Sequence, residues 1–205
     1  LTPDGQQGPA GPFTRWPVGW GFDYFYGFLG GGSGQWDPCL AENQKIIGTP
    51  DGFGDEEDPY YLPDDMADKT IEWLHAIRGQ DAKKPFFTYF STGCSHAPHH
   101  VADEWIAKYK GKFDQGWDKL REETLARQIK LGVVPAGTKL APKPEAIKDW
   151  ATLSPDEKKL FARQMEVFAA FGEYADAEIG RLIQAIEATG QLGNTLIFYI
   201  VGDNG

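Results

Sequence analysis

The chain has 205 residues, of which 41% are hydrophobic and 24% charged, the composition of a soluble globular protein with enough length for a buried core. Thirty acidic residues against twenty basic ones give a formal net charge of -10, which argues against nucleic acid or an anionic membrane as partner, because neutralising phosphates requires clustered Lys and Arg. No apolar run approaches the roughly 20 residues of a membrane span, and the two cysteines, Cys39 and Cys94, form neither a disulfide framework nor a CxxC pair.

Residues 1–63 are rich in Gly, Pro and aromatics, with Trp16, Trp20, Phe22, Tyr24, Phe25, Tyr26, Phe28 and Trp36 crowded around the run Gly30-Gly31-Gly32-Ser33-Gly34. So aromatic a stretch predicts an irregular but packed excursion, its loops fixed by ring burial, rather than disorder. Asp64-Asp65 open a helix, with acidic residues in its first turn and Met66, Thr70, Trp73, Leu74 and Ile77 at helical spacing up to Gly79. Residues 86–90, Phe-Phe-Thr-Tyr-Phe, form a short apolar run without alternation, the mark of a strand buried on both faces.

Two helical segments follow, over 103–110 and 115–131, the second stopped by Gly132; residues 133–148, with Pro135, Pro142 and Pro144, read as loop. A long helix starts at Ser154-Pro155-Asp156-Glu157, which has capping-box spacing and Pro at the first helical position. Phe161, Met165, Phe168, Ala175, Ile179, Leu182 and Ile186 mark its expected core face, and Gly190 its end. The seven residues 195–201 then form an apolar strand that runs into Asp203-Asn204-Gly205. The order of elements predicts an α/β fold, a mostly parallel sheet flanked by helices, with ligands at the carboxyl ends of its strands.

Both polar clusters of interest follow an expected strand. In Cys94-Ser95-His96-Ala97-Pro98-His99-His100, the adjacent His99 and His100 are poorly placed to share one zinc ion with His96. His96 itself reads equally as a donor or general acid toward an anionic oxygen and as a residue that satisfies loop backbone. Asp203 and Asn204 offer hard oxygen ligands suited to Ca²⁺ or Mg²⁺, although the same letters also make ordinary turns.

The stretch 89–117, YFSTGCSHAPHHVADEWIAKYKGKFDQGW, resembles the central part of bacterial sulfatases of the arylsulfatase type. So do Phe22-Asp23-Tyr24-Phe25-Tyr26-Gly27-Phe28, the segment from Ala162 to Val167, and the end from Ile179 to Gly205, in the family's order and spacing. The resemblance implies an alkaline-phosphatase-like fold and hydrolysis of small-molecule sulfate monoesters by a formylglycine nucleophile with one Ca²⁺. It maps the family's metal-binding Asp-Asn-Gly onto Asp203 and Asn204, and its sulfate-contacting histidine onto His96. Asn204, where phosphatase relatives usually place a His for a softer second metal, fits the sulfatase branch better than a phosphodiesterase or phosphonate hydrolase, the alternatives within the superfamily.

The family's nucleophile motif, Cys-X-Pro/Ala-Ser-Arg, is met by neither Cys39, before Leu40-Ala41-Glu42-Asn43, nor Cys94, before Ser95-His96-Ala97-Pro98. Its paired acidic ligands, its Lys-X-His pair and a further lysine are also missing. The expectation is therefore that residues 1–205 are an internal fragment, the central part of a single catalytic domain, with 1–63 irregular and 64–205 its α/β portion. A non-catalytic truncated module is the reading outside the enzymes. The 205-residue chain by itself is expected to hydrolyse no aryl sulfate; turnover of a chromogenic aryl sulfate by the purified chain, free of contaminating enzyme, would overturn this.

Overall fold

The computed structural model describes residues 2–50 and 60–202. The chain folds as two compact units, one of residues 1–101 and 171–205, the other of 102–170.

In the first unit the aromatic-rich segment has a core of its own. Trp16 is fully buried, stacks edge-on against Phe13, and its indole N–H donates to the Gln6 carbonyl at 2.6 Å. Three short strands, β1 (Tyr26–Gly27), β2 (Leu40–Glu42) and β3 (Lys45–Ile47), form an antiparallel sheet in that order. Glu42 pairs with Lys45 around Asn43-Gln44, a two-residue hairpin loop in which Asn43 takes the positive φ such turns require. The Asn43 carboxamide oxygen also accepts from the Phe25 N–H at 3.1 Å, tying the turn to the chain entering β1.

Helix α1 (Leu62–Gln80) starts two residues before the acidic pair, with Pro63 in its first turn, and continues one residue past Gly79. Leu62 packs with Leu40 and Tyr60 to close the core between sheet and helix. Asp65 is buried on the same side, and one of its oxygens accepts from the hydroxyls of both Tyr26 and Tyr60, the latter at 2.7 Å. The carboxylate therefore joins β1 to α1. Burial is the main reason that both phenols are held well above the ordinary tyrosine range, with the Asp65 bond adding to it.

The long helix α4 (Pro155–Ala188) passes through both units. Its part in the first unit packs Leu182 and Ile186 against Leu74 of α1, with Phe86, Phe90 and Leu192 on the same cluster. Tyr174 donates to Asp64 at 2.6 Å, and Arg181 bonds Asp68. The helix ends as expected, Gly190 adopting positive φ beyond the last turn.

The parallel sheet does not emerge among the described residues. Residues 86–90 and 195–201 form no hydrogen-bonded ladder there, and the one hydrogen-bonded sheet is antiparallel. Their alternate side chains explain the state: Phe86 and Phe90 lean onto α1 and α4, while Phe87 and Leu196 are 77% and 79% exposed. A strand has no ladder unless a neighbour offers an edge to it, and no described segment does so.

The second unit contains α2 (Asp103–Ala107), α3 (Gly116–Lys130) and the first part of α4. The Ser154–Glu157 capping box forms in both directions, the Glu157 carboxylate accepting from the Ser154 N–H at 2.8 Å and the Glu157 N–H reaching the Ser154 hydroxyl at 3.3 Å. Gly132 ends α3 at positive φ. In this unit Ala162, Glu166 and Ala170 are the buried positions of α4 and the expected Phe161, Met165 and Phe168 are half-buried beside them, whereas in the first unit the expected Ala175, Leu182 and Ile186 are buried. Glu166 is tolerated there because it accepts the Gly111 N–H at 2.7 Å and pairs with Arg163 at 3.2 Å. Gly116 is fixed at the start of α3 by φ +79° and by Trp150, whose ring lies where a Cβ would be. Among the described residues no helix is long and apolar enough to cross a membrane.

Asp65→Ala withdraws the acceptor that two tyrosine hydroxyls share, so unfolding in urea should show a loss of ~2–4 kcal/mol. Asp65→Asn, which keeps an oxygen acceptor, should lose less than half of that, and equal stability of all three proteins would contradict the assigned joint.

Candidate functional site

Residues 86–90 lie on the α1–α4 pair, and the chain continues from them through Gly93 into the loop that carries three of the four histidines. The loop turns tightly, the His96 N–H donating to the Gly93 carbonyl at 2.9 Å. His96 is exposed. Its Nδ1 sits 2.6 Å from the Ala97 carbonyl oxygen, which can only accept, so Nδ1 carries a proton and Nε2 is the nitrogen left for chemistry.

The other two rings are held elsewhere. His99 Nε2 donates to the Ser95 carbonyl at 3.1 Å, with its ring near Phe171. His100 Nδ1 accepts the Gln35 N–H at 3.3 Å. Three rings with three separate backbone partners do not converge, and among the described residues no group of three His, Cys, Asp or Glu side chains is disposed to hold a metal ion.

The loop is braced from the aromatic-rich segment. Gln35 is only 1% exposed; its amide donates to the Ser33 carbonyl at 2.7 Å and lies so close to Gly93 that a Cβ there would approach it to 2.9 Å. Gln35 also accepts the Leu62 N–H at 2.8 Å, which anchors the brace to the start of α1. Gly32 runs beside the His96 ring, where a Cβ would come within 2.9 Å of Nδ1. Below the loop, Tyr61 donates to the His100 carbonyl at 2.8 Å and stacks between Trp36 and Tyr174, at ring centroids of 4.3 and 4.9 Å. Sequence reasoning missed Gln35, Gly32 and Tyr61 as supports. The glycine run was the available signal, since repeated glycines permit close backbone approach to another group.

Cys94 is half-buried, and burial pushes its thiol up to about 11. Among the described residues no cation favours its thiolate, which leaves it a poor nucleophile at neutral pH. Asp203 and Asn204 lie outside the described residues. The segment that leads to them is described as far as Gly202: Tyr199 donates to Asp176 on α4 at 3.0 Å, and its phenol lies near enough to Cys94 for their charges to interact.

The sulfatase family model matches residues 1–205. The chain is 30% identical over 195 residues to an arylsulfatase of Klebsiella aerogenes, an alignment that covers 90% of this chain and 40% of that protein. It is 32% identical over 216 residues to an uncharacterized sulfatase of Schizosaccharomyces pombe, covering all of this chain and 36% of that one. The chain thus spans about two fifths of the length of these curated relatives.

At pH 8 a thiol of pKa about 11 is ionised to roughly 0.1%. Iodoacetamide should therefore label exposed Cys39 first and Cys94 at least ~10-fold more slowly, with Cys94 catching up in denaturant. Peptide mapping that found equal native rates would refute the burial argument.

Proposed function

Because the chain belongs to the sulfatase family, we propose that it serves a sulfuric ester hydrolase acting on small-molecule sulfate esters. The observation that carries the reading is the state of His96: an exposed ring on a braced loop, with Nδ1 committed to its own backbone and Nε2 open. A sulfate monoester presents anionic oxygens and a leaving oxygen that needs a proton. The imidazolium form of His96 can donate from Nε2 to either, while the Ala97 carbonyl keeps the ring from swinging away.

The donor chemistry of Asp203 and Asn204, a carboxylate and an amide oxygen after an apolar segment, fits Ca²⁺. These two residues would hold it, and the ion would supply positive charge to the sulfate oxygens. A formylglycine would supply the nucleophile, and neither Cys39 nor Cys94 stands in the sequence context that this modification requires. Residues 86–90 and 195–201 are assigned as strands of a mostly parallel sheet in the whole protein. Their apolar composition, and the seats of Phe86, Phe90 and Tyr199 on the α1–α4 pair, support this. The preference for sulfate monoesters over phosphodiesters or phosphonates rests on the family resemblance, in which Asn204 stands where phosphatase relatives usually place a His for a second, softer metal.

In the whole protein His96→Ala should lower kcat for 4-nitrophenyl sulfate by roughly 10²-fold and leave the far-UV spectrum unchanged. Asp203→Ala should raise the Ca²⁺ concentration needed for half-maximal activity at least ~10-fold. Full activity in both variants would remove the site assignment, and faster hydrolysis of bis(4-nitrophenyl) phosphate than of the sulfate would move the enzyme to the phosphodiesterase branch.

A further inference from the structure

The second unit carries a half-open cavity of about 570 Å³, within the size range of small-molecule sites. None of its lining residues belongs to the His96 loop, and its chemistry stands apart from the sulfatase reading. Trp117, Phe161, Ile147 and Leu153 form apolar walls. The two rings meet at a 5.4 Å centroid separation and 62°, making a corner that suits a flat apolar body. Trp117 is fixed in this orientation by its indole N–H, which donates to the Lys148 carbonyl at 3.0 Å.

The polar groups around the walls are mostly committed. Lys143 has three ammonium protons and three acceptors: Asp118 at 2.7 Å, Asp149 at 2.5 Å and the Lys148 carbonyl at 3.1 Å. Glu157 is committed to the Ser154 N–H and hydroxyl and to Lys148 at 3.4 Å. Asp118, whose charge reaches Arg121, has one oxygen on Lys143 and the other on the Trp150 N–H at 2.7 Å. Arg121 differs from all of these. It has no ion pair among the described residues, and one Nη2 bond to the Ala141 carbonyl at 2.6 Å leaves most of its five N–H groups open.

We propose that this cavity binds an aromatic carboxylate, its ring system lying against Trp117 and Phe161 and its carboxylate forked on the Arg121 guanidinium. The planar fork of Arg matches a carboxylate in two parallel bonds, and an apolar floor with one uncommitted cation selects against neutral and cationic ligands of the same shape.

The test titrates 2-naphthoate and its neutral counterpart 2-naphthamide into the 205-residue chain. The readout is the Trp117 indole signal in ¹H–¹⁵N spectra, identified by its absence in Trp117→Phe. Both ligands should shift that signal saturably, the naphthoate with roughly tenfold tighter binding. Arg121→Gln should abolish the preference and leave naphthamide binding unchanged. Ile147→Trp, on the exposed wall, should weaken both ligands by filling the cavity. Equal affinity of the two ligands, a preference that survives in Arg121→Gln, or an unmoved Trp117 signal would each overturn the proposal. The wild-type comparison decides even where a variant fails to fold.

Discussion

The packing of α1 against the last part of α4 is the constraint on which the first unit depends. Leu74 meets Leu182 and Ile186, and two polar links, Tyr174 to Asp64 and Arg181 to Asp68, fix how one helix slides along the other. Each apolar segment, 86–90 and 195–201, is then positioned by contacts to this pair, through Phe86 and Phe90 in one case and through Tyr199 in the other. Moving either helix would move both approaches to the candidate site. Apolar contacts supply the affinity between the helices, and the polar links, which need defined geometry, supply the register.

That helix pair carries an excess of acid. Arg181 serves both Asp68 and Glu178, and Asp64 lies in the same field. Burial is the largest reason that Glu178 is held above the ordinary glutamate range, with Arg181 opposing it. The folded state therefore binds a proton there more readily than the unfolded chain, so this residue adds stability as pH falls through that range and withdraws it as pH rises. The aromatic layer beside the helices tolerates the acids because its tyrosines donate to them: Tyr174 to Asp64, and Tyr26 and Tyr60 to Asp65.

The sequence was legible where a local rule decides the backbone. The Ser154–Glu157 box, Pro155 and the stops at Gly132 and Gly190 each depend on a few neighbouring residues, and each formed where expected. The small sheet was not legible because its strands are two or three residues long, shorter than any window in which alternation can be read. Only Asn43, suited to a positive-φ hairpin turn, marked it. Buried Asp65, Glu166 and Glu178 were equally hidden, since an acid in a helix looks solvated until its distant donors are known. At the site, sequence alone singled out His96, but its tautomer and its brace depend on groups from far along the chain, and Asp203 and Asn204 fall outside the described residues.

The His96 loop and the two apolar segments are held by different means. The segments have apolar side chains turned outward at Phe87, Leu196, Phe198 and Ile200 and no ladder among the described residues, so only their inward side chains pin them. Such an edge is a template for a further strand. The loop does not depend on that template for its shape. Gln35 grips it at Gly93 and His100, Tyr61 holds the His100 carbonyl, and Gln35 is itself tied to Leu62 at the start of α1. The loop that carries His96 is thus held by the aromatic-rich first segment and by α1, the ring itself by the Ala97 carbonyl, and pairing of the apolar segments would add rigidity to a loop whose geometry is already defined.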